Sequence, residues 1–241
     1  MNAVERNRYT EAWRRLGAAL PLPRGIVVVS AHWYGDGLAV TAMERPRTIH
    51  DFYGFPRELY AVSYDAPGSP ELARRVAELL APERVALDRA WGFDHGAWSV
   101  LVHLFPDANV PVVQLSLDAR RPPEEHWELG ERLGPLRDEG VLVVGSGNVV
   151  HNLRLADFGV DGGFEWAVRF DDDVRRAIEA GDRKALTGYP DRPAGMLAVP
   201  TPDHYLPLLY AAALRRPGET TATLVDGMEA GALSMRAVRF G

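Results

Sequence analysis

No cysteine occurs among the 241 residues, and that absence removes disulfides, thiolate nucleophiles and cysteine-ligated zinc or iron–sulfur sites together. A metal in this chain has to be held by His, Asp or Glu. Lysine is almost as scarce. Lys184 is the only one, so arginine carries the basic charge. With 27 basic against 33 acidic residues the formal net charge is −6, and no basic stripe offers the electrostatic footprint of a nucleic-acid partner. No apolar run approaches the roughly 18 residues that a membrane span needs. The opening "MNAVERNRYTEAW" is polar and charged, unlike a secretory leader. The expectation is a cytoplasmic protein that engages neither membrane nor nucleic acid. Hydrophobic residues at 46% and charged residues at 25% suit a packed core, and there is no internal repeat or low-complexity linker.

What is present alternates between two periods. Strand-like runs fall at Ile26–Ala31, Leu38–Met43, Val110–Leu117 and Val141–Gly145, with further candidates at Thr221–Val225 and Leu233–Arg239. Helix-like segments fall at Tyr9–Ala19, Ser69–Leu80, Glu124–Leu136 and Trp166–Ala180, the second opening on Ser69 and Pro70 as N-cap and first-turn proline. Such alternation predicts one α/β domain over residues 1–241, with a central mixed, largely parallel sheet flanked by helices. The segment Gly181–Gly195, with two prolines and three glycines, reads as a surface loop.

Histidines stand at the ends of these elements. "GIVVVSAHW" is a buried-type strand that ends in His32, and ligands of open α/β sheets bind at the carboxyl ends of strands. "GVLVVGSGNVVHN" ends likewise. Its glycines permit close approach of a ligand or another backbone just before His151. In "PTPDHYLPLLYAAAL", Thr201 and Pro202 predict a helix start with His204 in the first turn. There the dipole disfavours protonation, and a metal requires a neutral imidazole. His95 in "RAWGFDHGAWSVL" lies between aromatic residues, a setting for an acid/base group, or beside an Asp94 that simply caps a helix. His50 falls in the aromatic, glycine-containing "RTIHDFYGFP", of the kind that lines substrate pockets or packs as an Ω-loop. His103 reads as a core or helix-face residue, and His126, beside Glu124 and Glu125, as a solvated one. His32 has the alternative of an ordinary hydrogen-bonded structural histidine, and His204 that of a histidine covering a helix end.

Taken in order, "IVVVSAHW", "TIHDFYGFP", "YDAPGSPELA", "AWGFDHGAWSVL", "PVVQLSLD", "GSGNVVHNL" and "PTPDHYLPLLYAAAL" resemble the 4,5-DOPA extradiol dioxygenase group. That group belongs to the class III extradiol ring-cleavage dioxygenases, the superfamily of the protocatechuate 4,5-dioxygenase catalytic subunit. The resemblance spans almost the whole chain. It implies a metal-dependent cleavage of a catechol such as DOPA by O₂. It assigns His32 and His204 to one divalent metal, His151 to an additional metal contact or the catalytic base, and His95 to a second acid/base role. The metal it implies is zinc (Zn²⁺), as in bacterial members, with Fe(II) (Fe²⁺), the usual metal of superfamily ring cleavage, as the alternative. Asn148 and Tyr205, adjacent to two of these histidines, are expected to contact substrate hydroxyls together with His50. A substrate carboxylate would fall to Arg120, Arg121 or Arg154, which the sequence does not rank. Members of the group open with a strand ending in "GHGSP", whose histidine is a further ligand and which leads directly into "MN". The expectation is therefore a catalytic domain truncated before Met1, through a misplaced start codon or a shortened chain. Rival readings are a zinc-dependent hydrolase and a non-enzymatic, Memo-type interaction protein.

Overall fold

The computed structural model describes residues 2–241, and its contacts group them into two compact units. The first takes in the chain as far as Arg120 together with Arg132–Ser146; the second takes in Arg121–Glu131 and Gly147–Gly241.

In the first unit five strands form one sheet: β1 (Gly25–Gly35), β2 (Leu38–Thr41), β3 (Val85–Asp88), β4 (Val112–Asp118) and β5 (Val141–Ser146). Their order is β3-β2-β4-β1-β5. β1 runs parallel to both β4 and β5, β2 is parallel to β3, and the β2–β4 pair is antiparallel. This is the mixed, largely parallel α/β sheet that the alternation predicts. β1 is buried from Gly25 to Ala31, which is why it reads as an unbroken apolar run. Its ladder with β5 ends at Ser30, and its register with β4 breaks between Val29 and Tyr34. His32 thus stands past the end of the β5 ladder, in the irregular stretch before β1 pairs with β4 again at Tyr34 and Gly35, toward the carboxyl end of the sheet.

The helices of this unit follow their caps. Arg8–Ala19 opens on an Asn7–Thr10 capping box. Pro70–Leu79 opens on Ser69, whose hydroxyl accepts from the Leu72 amide. His95–Leu104 opens on Asp94, which accepts from the Ala97 amide. That third helix buries Ala97, Trp98, Leu101 and Leu104 in the core that also holds Ile26 and Val28 of β1. The expected helix Glu124–Leu136 is two pieces, Pro123–Arg132 and Pro135–Asp138. Pro135 has no N–H to continue the first piece's hydrogen-bond ladder, although Gly134 before it keeps helical backbone angles.

The second unit holds the helices Glu165–Ala180, Arg183–Thr187, Gly195–Ala198 and Leu206–Ala213 and most of Pro123–Arg132. Two antiparallel ribbons accompany them: β6 (Thr221–Val225) with β9 (Ala237–Phe240), and β7 (Met228–Glu229) with β8 (Leu233–Ser234). The single strand expected over Leu233–Arg239 is therefore two. Gly181–Gly195 is not a surface loop. Asp182 caps the short helix Arg183–Thr187, a 3-10 turn follows at Tyr189–Asp191, and Leu186, Thr187 and Tyr189 are buried. His126 is also corrected: it is fully buried, with Nδ1 3.0 Å from the Tyr210 hydroxyl. Among the described residues, no helix is long and apolar enough to cross a membrane.

Candidate metal and acid–base site

Three side chains of the first unit meet toward the carboxyl end of β1. His32 comes from the strand itself and His95 from the first position of its helix. The third is Asp51, carried by an extended segment laddered onto the approach to that helix. Phe93 N donates to Arg47 O (2.8 Å), Ile49 N donates to Phe93 O (2.7 Å), and Thr48 forms an isolated bridge with Phe93. This register brings Asp51 to His95. The His95 amide donates to Oδ1 (2.8 Å), and the His95 Nδ1 lies 2.9 Å from Oδ2. His32 Nδ1 lies 3.3 Å from the same Oδ2. The two imidazole centroids are 3.8 Å apart and tilted by 50°. Gly96 permits this approach, because a Cβ there would stand 2.4 Å from Ser30 Oγ and 2.8 Å from His32 Cδ2.

A buried polar network supports the cluster from behind. Ser30 Oγ donates to Asp94 Oδ1 (2.7 Å) and accepts from the His32 amide (3.2 Å). Gln114 Nε2 donates to the other Asp94 oxygen. Burial pushes the Asp94 carboxyl above its ordinary pKa, against the hydrogen bonds from Ser30 and Gln114. Asp51 goes the other way. Burial alone would raise its pKa, but the ring and backbone hydrogen bonds of His95 and the nearby charge of His95 and His32 together hold it below the usual range.

Aromatic side chains form one flank. Phe52 meets His95 edge-on at 5.3 Å, and the His50 ring lies among Phe52, Tyr60 and Trp98. His50 Nε2 donates to the Val62 carbonyl (3.0 Å), so this histidine borders the cluster without joining it.

The donor set fits a metal. Two imidazoles and one carboxylate are the ligand types of non-haem iron centres, and the ligand atoms of His32, Asp51 and His95 all lie within 4.8 Å of one another. Donors placed cis around a metal at about 2.1 Å stand about 3 Å apart. The separations of 2.9 and 3.3 Å to Asp51 Oδ2 have that size. The same atoms also form a carboxylate-backed imidazole pair suited to moving protons.

His204 and His151 meet in the second unit. His204 belongs to a 3-10 turn, Pro202–His204, and the α-helix begins only at Leu206. Thr201 and Pro202 do open a turn that contains His204, but it is a 3-10 turn, closed by Tyr205 N donating to Pro202 O (3.0 Å), and Thr201 makes no side-chain capping bond. The dipole argument for a neutral His204 therefore falls, and a hydrogen-bonded amide takes its place. Asn148 Nδ2 donates to the Ser234 carbonyl (2.6 Å), which fixes Oδ1 as the acceptor facing His204 Nδ1 (3.1 Å). Nδ1 therefore carries the hydrogen, and Nε2 is the nitrogen suited to a metal. The Asn148 amide also donates to the His204 carbonyl (2.8 Å), and a Cβ on Gly147 would stand 2.1 Å from that carbonyl oxygen. The glycine is there for close backbone approach, as the sequence implies. His151 lies face to face with His204, ring centroids 3.4 Å apart and planes 4° from parallel.

Two expected substrate contacts have other occupations. Tyr205 is completely buried, its ring 4.3 Å from Tyr189 and its hydroxyl donating to the Leu186 carbonyl (3.1 Å). Burial also raises its pKa. This is the setting of a packing residue. Asn148 spends its amide on Ser234 and His204. Of the arginines, Arg120 is paired with Asp118 and Arg121 with Glu125, while Arg154 is exposed. Asp51 is the residue that sequence reasoning missed; its one local mark is its place beside His50 in "TIHDFYGFP".

A family model described as the catalytic LigB subunit of aromatic ring-opening dioxygenase matches residues 4–231. The chain is 50% identical over 246 residues to the Escherichia coli protein named 4,5-DOPA dioxygenase extradiol, covering 100% of this chain and 91% of that protein. It is 36% identical over 237 residues to the Beta vulgaris protein of the same name, covering 97% and 88%. The crystal structure of an uncharacterized Escherichia coli protein matches with a TM-score of 0.87 and 46% identity, over 99% of this chain and 94% of that one.

Proposed function

The chain belongs to the family of the catalytic LigB subunit of aromatic ring-opening dioxygenases and is an extradiol ring-cleaving dioxygenase; from that premise we propose that it opens a catechol such as DOPA with O₂. The observation that carries the proposal is the meeting of His32 and His95 around the Asp51 carboxylate toward the carboxyl end of β1. Fe(II) held by imidazole donors such as His32 would supply the redox change that ring opening by O₂ needs, whereas zinc would take such donors without changing oxidation state.

The chain's own residues have separate tasks in this reading. His32 holds the metal. His204, with Nδ1 committed to Asn148, offers Nε2 as a metal donor. His151 removes a catechol proton as general base, with additional metal contact as its second option, and His95 moves a proton to or from the opening ring. The rings of His50 and Phe52 give His95 an aromatic flank, Phe52 meeting it edge-on.

The test is oxygen consumption by full-length protein reconstituted anaerobically with Fe(II), then mixed with DOPA and simpler catechols. The expected result is catechol-dependent O₂ uptake by the iron form and none by the zinc form. Ester or amide hydrolysis by the zinc form, with no O₂ uptake by the iron form, would overturn the proposal.

A further inference from the structure

One carboxylate serves both imidazoles of the first unit, and the arrangement points beyond simple clustering. Asp51 Oδ1 takes the backbone N–H of His95, which sets the plane of the carboxylate. Oδ2 then faces two ring nitrogens, Nδ1 of His95 at 2.9 Å and Nδ1 of His32 at 3.3 Å. An ionised carboxylate can only accept, so the His95 nitrogen hydrogen-bonded to it carries a hydrogen, and the His32 nitrogen at ion-pair distance from the same oxygen is placed to do the same.

We propose that Asp51 is a positioning residue that holds His32 and His95 in the Nδ1–H tautomer, so that the reactive nitrogen of each ring is Nε2. This rests on the dioxygenase reading and deepens it. His32 then uses Nε2 toward a metal, and His95 uses Nε2 toward the substrate. A direct ligand role for Asp51 is the competing use of the same atoms. It would require Oδ2 to give up the His95 ring hydrogen, whereas the positioning role keeps all three contacts. It also accounts for the backbone bond: pinning the carboxylate plane matters for aiming two N–H groups. Metal-binding histidines commonly have such a carboxylate behind them, and removing it costs about 10- to 100-fold in metal affinity or activity.

The experiment records the histidine ring nitrogens of the full chain by long-range ¹H–¹⁵N correlation, with zinc added because zinc is diamagnetic. It is run at about pH 8.5, well above the ordinary histidine pKa. The expected wild-type spectrum has Nδ1–H on both His32 and His95. In Asp51→Asn the amide N–H₂ competes for Nδ1. His95 is expected to shift toward Nε2–H, and zinc affinity to fall about 10- to 100-fold, while the amide resonances of helix His95–Leu104 stay in place. Nε2–H on either ring of the wild type overturns the proposal, as does an unchanged tautomer pattern in Asp51→Asn. If that variant does not fold, the wild-type spectrum decides alone. The measurement involves neither catechol nor O₂. A protein with the expected tautomers but no O₂ uptake keeps the positioning role and loses the reaction; one with O₂ uptake but the other tautomer does the reverse.

Discussion

Replacing Gly147 with alanine should damage the second unit's histidine pair more than any other single methyl group added there. The new Cβ would stand 2.1 Å from the His204 carbonyl oxygen and 3.0 Å from its carbon, where ordinary contact begins at 3.4 Å. Both obstacles are backbone, so no flexible side chain can swing aside. The two segments have to separate by about 1 Å, and the bonds that hold His204 are the ones stretched: Asn148 N to His204 O (2.8 Å) and His204 Nδ1 to Asn148 Oδ1 (3.1 Å). Overpacking costs about 1–3 kcal/mol, and each hydrogen bond lost adds about 0.5–1.5 kcal/mol. With both bonds lost the expected destabilisation is therefore about 2–6 kcal/mol, read as a lower urea midpoint at unchanged slope. Because the displacement also frees the His204 ring from its orienting amide, catechol-dependent O₂ uptake should fall with it. Gly35→Ala is the control. Nothing lies within 4 Å of its Cβ position, so it should stay within about 0.5 kcal/mol of the parent. If Gly147→Ala matches Gly35→Ala in both stability and O₂ uptake, the close-approach argument is wrong.

Tyr205→Phe removes the hydroxyl that donates to Leu186 O and should cost about 0.5–1.5 kcal/mol while leaving kcat/KM for catechol unchanged; lost turnover at full stability would restore Tyr205 as a substrate contact. His32→Ala and His204→Ala, assayed by metal analysis after gel filtration, should each reduce bound metal; full occupancy in the double variant would remove both from the ligand set. A pH effect follows from His103. Burial pushes its imidazole below the usual 6.5, against the hydrogen bond to the Asn2 carbonyl that raises it. The unfolded chain then binds more protons at this site, so the stabilisation is complete above about pH 6.5 and is lost as pH falls through the lower folded value. Urea midpoints between pH 7.5 and 5.5 should decline, and His103→Gln should flatten that decline; an equal slope in the variant would refute the assignment.

The parts of the fold that could be read from sequence are those in which burial leaves a local signature. β1 and β4 are covered on both faces, and their apolar runs say so directly. Caps such as Ser69 and Asp94 announce helices because their side chains bond the helix's own amides. β3 announced nothing: it is four residues long, with Ala86 and Leu87 exposed, and takes its structure from pairing with β2. His126 misled for a different reason. Neighbouring helix positions point in different directions, so the charged Glu124 and Glu125 carry no information about the face of residue 126. That face, with Trp127, Leu129 and Gly130, is the buried one.

At the site the same divide separates the imidazoles from what aims them. Histidines are conspicuous in any sequence, but their acceptors come from far along the chain: Asp51 lies 44 residues from His95, and Asn148 lies 56 from His204. Whether His50 or Asp51 meets the imidazoles depends on the register of residues 47–49 against Phe93, and successive side chains of an extended segment face opposite ways. The observed register sends His50 to the Val62 carbonyl and into the aromatic cluster, and turns Asp51 toward His32 and His95. Sequence reasoning favours His50 because imidazole is the rarer and more reactive group. The register, a property of two segments together, instead turns the carboxylate beside it toward the imidazoles.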